Sequence, residues 1–186
     1  MKRRRIHFAV ALIAAATTAG LLSQLVLGGS DRVRIGDGSV SALARASRAS
    51  DSLPDSVLAY PFAARNFASK NGEGSRLIRL EGTLRLYAVP GKEGMLCLIE
   101  VDDAAATAGG ACADRHLLLT GSIFMADRQE DGSQLVVGLV GDGHTYAEAD
   151  GRRVPVESNA FLLHGVAGSS VKVGSPTAEQ TIDLGD

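Results

Sequence analysis

The chain has 186 residues, 45% of them hydrophobic and only 4% aromatic, with 22 glycines, no tryptophan and a formal net charge of −2. That length holds one domain of roughly 100 to 150 residues plus an anchor and a linker, and its four Asp-Gly steps with a Leu, Val and Ile core favour short strands over long helices. Lys2, Arg3, Arg4 and Arg5 gather four positive charges at the N-terminus, so residues 6–186 keep 15 of the 19 basic side chains and all 21 acidic ones. A domain of that sign lacks the electrostatic footprint that neutralises phosphates, which argues against nucleic acid as a partner.

Residues 6–29, IHFAVALIAAATTAGLLSQLVLGG, carry no formal charge when His7 is neutral. As a helix they span about 30 to 36 Å, enough to cross the hydrocarbon layer of a bilayer, and the preceding basic cluster places the N-terminus in the cytoplasm and the rest outside. The expectation is a membrane anchor or signal segment over 1–29, with the lipid bilayer as partner through residues 6–29. The unbroken run Phe8 to Ala16 suits a signal peptide that is cleaved to release a secreted domain. Resumption of apolar character at Leu21-Leu22 and Leu25-Val26-Leu27 favours retention as a single-pass helix. No cysteine follows the segment directly, so lipoprotein attachment has no support.

Residues 30–74 shift to Ser, Ala, Arg and Asp with scattered glycines and prolines, and are expected to form a partly disordered tether. Asp31, Arg32, Arg34 and Asp37 would keep it solvated. Ser52 with Asp55 three residues on and Pro54 between them is a helix-start signature, Val57, Leu58, Phe62 and Phe67 could give a short apolar stripe, and Pro61 keeps any helix there short.

A β-rich extracytoplasmic domain is expected over 75–175, followed by a C-terminal tail, 176–186. Thr83 to Val89 alternates before a Pro90-Gly91 turn and Met95 to Val101 is a nearly continuous apolar run, so the two read as a hairpin. Further strands are expected at Leu117 to Met125, Leu135 to Val140, His144 to Ala149, Arg153 to Glu157, Ala160 to His164 and Ser170 to Val173, punctuated by Asp131-Gly132, Asp142-Gly143 and Asp150-Gly151. Seven or eight short strands at this spacing point to an all-β domain, a small sandwich or open barrel. Pro155 implies an edge or a bulge.

Cys97 and Cys112 are the only cysteines. In an oxidising space such a pair is most often a disulfide, and closing a loop of about 15 residues stabilises by roughly 3 kcal/mol in the chain-entropy model. The alternatives are a catalytic Cys97 with His116 as base, which lacks a recognisable nucleophile setting, and a metal site with His116 or Asp114, whose ligand spacing is wrong. Ser169 and Lys172 match S-x-x-K, but the strand alternation of Val171-Lys172-Val173 sets them on opposite faces. Asp102 and Asp103 with Asp114 could line a calcium pocket, though paired aspartates in turns are usually solvated. His144 and His164 fall near strand ends, where a histidine usually caps an edge. No cofactor motif occurs.

The order of several short motifs resembles a group of uncharacterised actinobacterial exported or membrane-anchored proteins with a two-cysteine β-rich domain. The matching residues are Asp51-Ser52-Leu53-Pro54, Ser75-Arg76, Tyr87 with Val89-Pro90-Gly91, Cys97-Leu98, Gly109-Gly110 with Cys112, Gly138-Leu139 with Asp142-Gly143, Asp150-Gly151, and Asn159-Ala160-Phe161. The likeness spans roughly residues 51 to 165. Gly141 stands where a proline is expected, and His144 where an apolar residue is. The resemblance implies export, the disulfide and the fold, and no activity. The function these features point to is a membrane-tethered, non-enzymatic module that binds an extracytoplasmic ligand or protein or supports envelope structure. An exported hydrolase with an unrecognised active site, or one using Ser169 and Lys172, is the alternative.

Overall fold

The computed structural model describes residues 38–119 and 121–185. The N-terminal helix expected over residues 6–29 lies outside them; among the described residues no helix is long and apolar enough to cross a membrane. Among the described residues eleven strands, all paired antiparallel, make three sheets, so this part of the chain has the all-β fold that was expected. The first sheet runs β1 (Arg76–Glu81), β2 (Leu84–Pro90), β3 (Met95–Asp102) and β4 (Thr107–Asp114) in sequence order. A middle sheet holds β5 (Ser122–Arg128), β6 (Gln134–Val140) and β9 (Ala160–Val166). The third has the order β11 (Ala178–Asp183), β10 (Ser170–Ser175), β7 (Tyr146–Ala149), β8 (Arg152–Pro155).

Because side chains alternate across a strand, each sheet's two faces can be followed residue by residue. Leu86, Leu96 and Leu98 of the first sheet meet Ile123, Val137, Leu139 and Leu162 of the middle sheet in one core. The intervening residues of the middle strands, Val136, Val140, Phe161 and Leu163, point the other way and meet Ala147, Val171, Val173 and Ile182 of the third sheet. The middle sheet is therefore buried on both faces, which is why β6 and β9 read as near-continuous apolar runs. At Gly138 the close packing tolerates no side chain: an added Cβ would lie 2.1 Å from the Phe161 ring on the paired strand.

The outer face of the first sheet, Tyr87, Val89, Cys97, Ile99 and Val101, is covered by Leu53, Val57, Ala63 and Phe67. These come from a segment with three short helices, α1 (Ser41–Ala44), α2 (Asp55–Leu58) and α3 (Pro61–Asn66). Residues 40–67, within the stretch whose composition reads as a tether, thus contribute to two of the three cores. One buried carboxylate fastens this cover. Asp51 accepts both terminal nitrogens of Arg45, at 2.8 and 2.5 Å, and the backbone N–H groups of Arg48 and Leu77, at 2.7 and 2.9 Å. Its own carbonyl accepts the Ser75 hydroxyl at 2.5 Å.

Three strands were not expected. β1 forms against β2 with a register shift between Leu77 and Arg79, and β11 completes the third sheet from the expected tail. β4 occupies what reads as a glycine-rich loop; every residue from Thr107 to Asp114 has a register partner on β3, and main-chain pairing needs no side chain. Residues 115–119 form a 3₁₀ turn, so β5 begins at Ser122, not at Leu117. β8 ends at Pro155 on the rim of its sheet, where the missing N–H costs no ladder bond.

Candidate functional site

Register and turn order sort the loops of the first and middle sheets into two ends. One end gathers the start of the described chain, the β2–β3 turn (91–94), the 115–119 turn and the turns before β7 and β9. Gly38, with φ +72°, would place a Cβ 2.8 Å from Leu119, and a Cβ on Gly141 would lie 3.1 Å from the Gly38 Cα. The backbone N–H of Asp142 donates to the Ser39 carbonyl at 2.7 Å.

Asp142 organises this end. Its carboxylate accepts the Ser39 hydroxyl at 2.7 Å, the Asn159 amide at 2.8 Å and the Ser41 backbone N–H at 3.0 Å. The Asn159 side-chain oxygen in turn accepts the Ala42 backbone N–H at 3.1 Å and the Ser41 hydroxyl at 3.3 Å. Asn159 sits at φ +67°, a left-handed turn position that asparagine tolerates well. Burial opposes the charge on Asp142, but the bonds from Asn159, Ser39 and Ser41 outweigh it and hold the carboxyl below its ordinary range. A carboxylate held in that state is a weak base, so Ser39 is anchored, not activated as a nucleophile.

Beside this network opens a cleft of about 450 Å³ lined by Gly38, Ser39, Glu93, Gly94, Asp114, Arg115, His116 and Leu119. Glu93 is held at φ +54° in the turn, and Asp114 Oδ1 caps the next turn by accepting the His116 N–H at 2.8 Å. Two carboxylates, a guanidinium and an imidazole thus line one recess, whose volume falls within the usual range for small-ligand sites. Both signs of charge suit a polar group that itself carries both.

The remaining residues that the sequence singles out are spread over the molecule. Cys97 and Cys112 form a disulfide directly across β3 and β4, with Cα atoms 4.0 Å apart. No thiol therefore remains for the Cys97–His116 pairing or for thiolate metal ligation. Asp102 accepts the Thr83 hydroxyl and the Ala104 N–H, both at 2.9 Å, and Asp103 pairs with Arg85. Met95 pairs with Asp114 and Asp102 with Thr107, so the length of β3 separates Asp102 and Asp103 from Asp114. Among the described residues no group of three or more His, Cys, Asp and Glu side chains is arranged to hold a metal ion.

His144 is buried with Nδ1 2.9 Å from the Gly141 carbonyl, and its burial lowers the imidazole pKa, outweighing the bonds with Gly141 and Gln180. His164 is exposed, 3.1 Å from Glu81. Lys172 lies on the outer face of the third sheet, its ammonium 3.0 Å from Glu179, and that bond raises its pKa. The shift is the opposite of what a lysine base needs.

Two buried acids were not among the expected site residues. Asp51 stands in a polar stretch, and its donors arrive from residues 45, 48 and 77 only in the fold. Glu100 does leave a signal, a single charge inside the apolar run Met95 to Val101. It shares the inward face with Leu96 and Leu98 and is 8% exposed. Burial, then the charges of Asp127 and Asp102, push its pKa up to about 7. No protein-family model, no curated protein and no solved structure matches this chain.

Proposed function

We propose that this chain is a membrane-tethered extracytoplasmic β-module that acts without catalysis, by binding a partner or supporting envelope structure. The observation that carries the proposal is the Cys97–Cys112 disulfide between β3 and the edge strand β4. Such bonds persist in oxidising spaces, and the basic cluster followed by residues 6–29 is the kind of segment that delivers a domain there. The polar clusters that resemble catalytic ones support the same reading. Asp142, Ser39 and Asn159 hold the start of the domain to the turns, and Lys172 is neutralised by Glu179.

In this reading the first and middle sheets form one seven-stranded sandwich around their shared core, with His164 and Glu81 meeting along one open side. The third sheet is packed on its back. The resemblance to exported actinobacterial proteins belongs to the same proposal, and several of its motifs meet in space here: Asp51 with Ser75, Gly138 with Phe161, Asp142 with Asn159.

The test is made on intact cells. Alkylation without reductant is expected to leave both cysteines unlabelled and alkylation after reduction to label both, in chain recovered with the membrane fraction and digested by protease added to spheroplasts. Full labelling before reduction, or protection from that protease while a surface control is cut, would overturn the proposal. Turnover of any substrate that disappears in Ser169→Ala would replace it with the hydrolase.

A further inference from the structure

β4 is an edge strand of the first sheet, and among the described residues no backbone hydrogen bond reaches Thr107–Asp114 apart from those to β3. Its two faces are covered, Ala108 and Cys112 by the N-terminal segment, Ala111 and Ala113 by the core shared with the middle sheet. None of its eight residues is buried even so. What lies open is the main-chain edge, with half of its N–H and C=O groups turned away from β3. Proteins usually blunt such an edge with charge or cover it. The five other edge strands, β1, β5, β8, β9 and β11, each carry a charged or histidine side chain before their last residue; β4 carries none before Asp114. An apolar recess runs along it, walled by Val57, Tyr60 and Phe62 and floored by Ile99, Ala108 and Gly110. Phe62 lies so close over Gly110 that an added Cβ would come within 2.8 Å of its ring. A strand laid along β4 presents every second side chain to this recess.

The chain itself arrives at this edge. From Gly38, packed on Leu119 in the turn after β4, residues 38–45 cross one end of the sandwich to the Asn159 turn and on to β1, where Arg45 donates to the Leu77 carbonyl at 3.0 Å. That path starts on the β4 side, where Gly38 shares a cleft with Asp114, the last residue of β4. The segment 30–37, which lies outside the described residues, has eight residues, as β4 has. In strand geometry eight residues span about 25 Å. Its sequence, SDRVRIGD, alternates, so a strand would set Val33 and Ile35 on one side and Arg32 and Arg34 on the other. With the apolar pair in the recess, the basic pair falls on the face toward β5, where Asp127 stands in line with Ile123 and Met125.

We propose that the open edge of β4 is a docking surface for the chain's own residues 31–35, which add a fifth strand to the first sheet with Val33 and Ile35 in the recess beside Phe62. The added strand is parallel to β4, because both run toward the Gly38 end. A second copy matches the surface less well: pairing two β4 edges brings only the small side chains of Ala108, Gly110 and Cys112 to each recess and leaves it unfilled. The proposal goes beyond the reading given above and stands whether or not residues 6–29 lie in a membrane.

A benzophenone side chain is placed at Val33 of the full chain, which is kept in mild detergent, diluted and irradiated, and adducts are mapped by peptide mass. Adducts are expected within one chain, on peptides covering 57–62 or 107–113. Adducts between two chains would overturn the proposal in favour of a second copy, and adducts confined to other peptides, or none, would overturn it outright. Hydrogen exchange provides a second measurement. Val33→Asp combined with Ile35→Asp changes no residue of the described fold and is expected to speed exchange of the 107–113 amides several-fold while leaving β6 and β10 as they were. Unchanged exchange at 107–113, or a rise shared equally by β6 and β10, would overturn the proposal.

Discussion

Two regions of the molecule bury a carboxylate almost completely, and they treat it in opposite ways. Where the N-terminal cover meets β1, Asp51 is 2% exposed and its charge is wanted: the Arg45 guanidinium, then the Arg48 and Leu77 amides, hold the carboxyl far below the usual range despite desolvation. Between the first and middle sheets, Glu100 is 8% exposed with no cation beside it. Burial and then Asp127 and Asp102 lift its pKa from 4.5 to about 7. Burial pushes both carboxyls up, and only at Asp51 do the partners within reach overcome it. Asp51 is a fastening, and Glu100 is a strain that the apolar packing around it carries.

The largest effect is expected from breaking the fastening. Asp51→Ala leaves Arg45 and two backbone N–H groups without their acceptor, and loss of one partner of a buried pair costs about 3 kcal/mol or more. Because the lost contacts tie residues 45–51 to β1, the loss should show as a fall in the denaturation midpoint together with early proteolytic cleavage in residues 40–70. A variant as stable as the parent would mean that apolar contacts alone hold the cover.

Glu100→Gln is expected to act with the other sign and only in part of the pH range. Below about pH 4.5 Glu100 is protonated in both folded and unfolded chains and contributes no pH dependence. As pH rises from 4.5 to about 7 the unfolded chain releases the proton first, so stability falls. Above about 7 the penalty is complete and constant, on the order of 3 kcal/mol for a shift of this size. The check is the difference between the denaturation profiles of parent and variant from pH 4 to 9, which isolates Glu100 from groups titrating the other way. His144, lowered by burial, and Asp51 and Asp142 all stabilise more as pH rises through their folded values. A flat difference would mean that Glu100 is charged and compensated.

These two acids also mark the limit of what the sequence made legible. The β2–β3 hairpin and strands β6 and β9 could be placed because their own side chains carry the period of a strand and the burial that goes with it. β4 could not: its run of Ala and Gly holds no β-branched residue but Thr107, and its stability comes from eight backbone partners on β3 and the Cys97–Cys112 bond. β11 hid for a related reason, since only Gln180 and Ile182 of its six residues are buried. In residues 38–74 the stripe of Val57, Leu58, Phe62 and Phe67 was legible, but Leu53 and Ala63 join it on one face only by lying on the sheet. The Asp142 network joins positions 39, 41, 142 and 159. No local pattern connects such distant positions.

The smallest effect is expected on the outer face of the third sheet, and it sharpens the contrast by removing burial altogether. There Lys172 lies 3.0 Å and the Tyr146 hydroxyl 2.8 Å from Glu179, while the Arg153 guanidinium stacks 3.9 Å above the Tyr146 ring and pairs with Glu148 at 2.7 Å. Drawn as a network, this is denser in charge than the surroundings of Asp51. Every member is in contact with water, however, so the unfolded chain solvates the same groups nearly as well and salt screens what attraction remains. Lys172→Ala should leave the denaturation midpoint unchanged within measurement at both low and high salt. A clear loss that disappears at high salt would show that the lattice acts as a unit, and partner geometry would then outweigh burial at the surface as well.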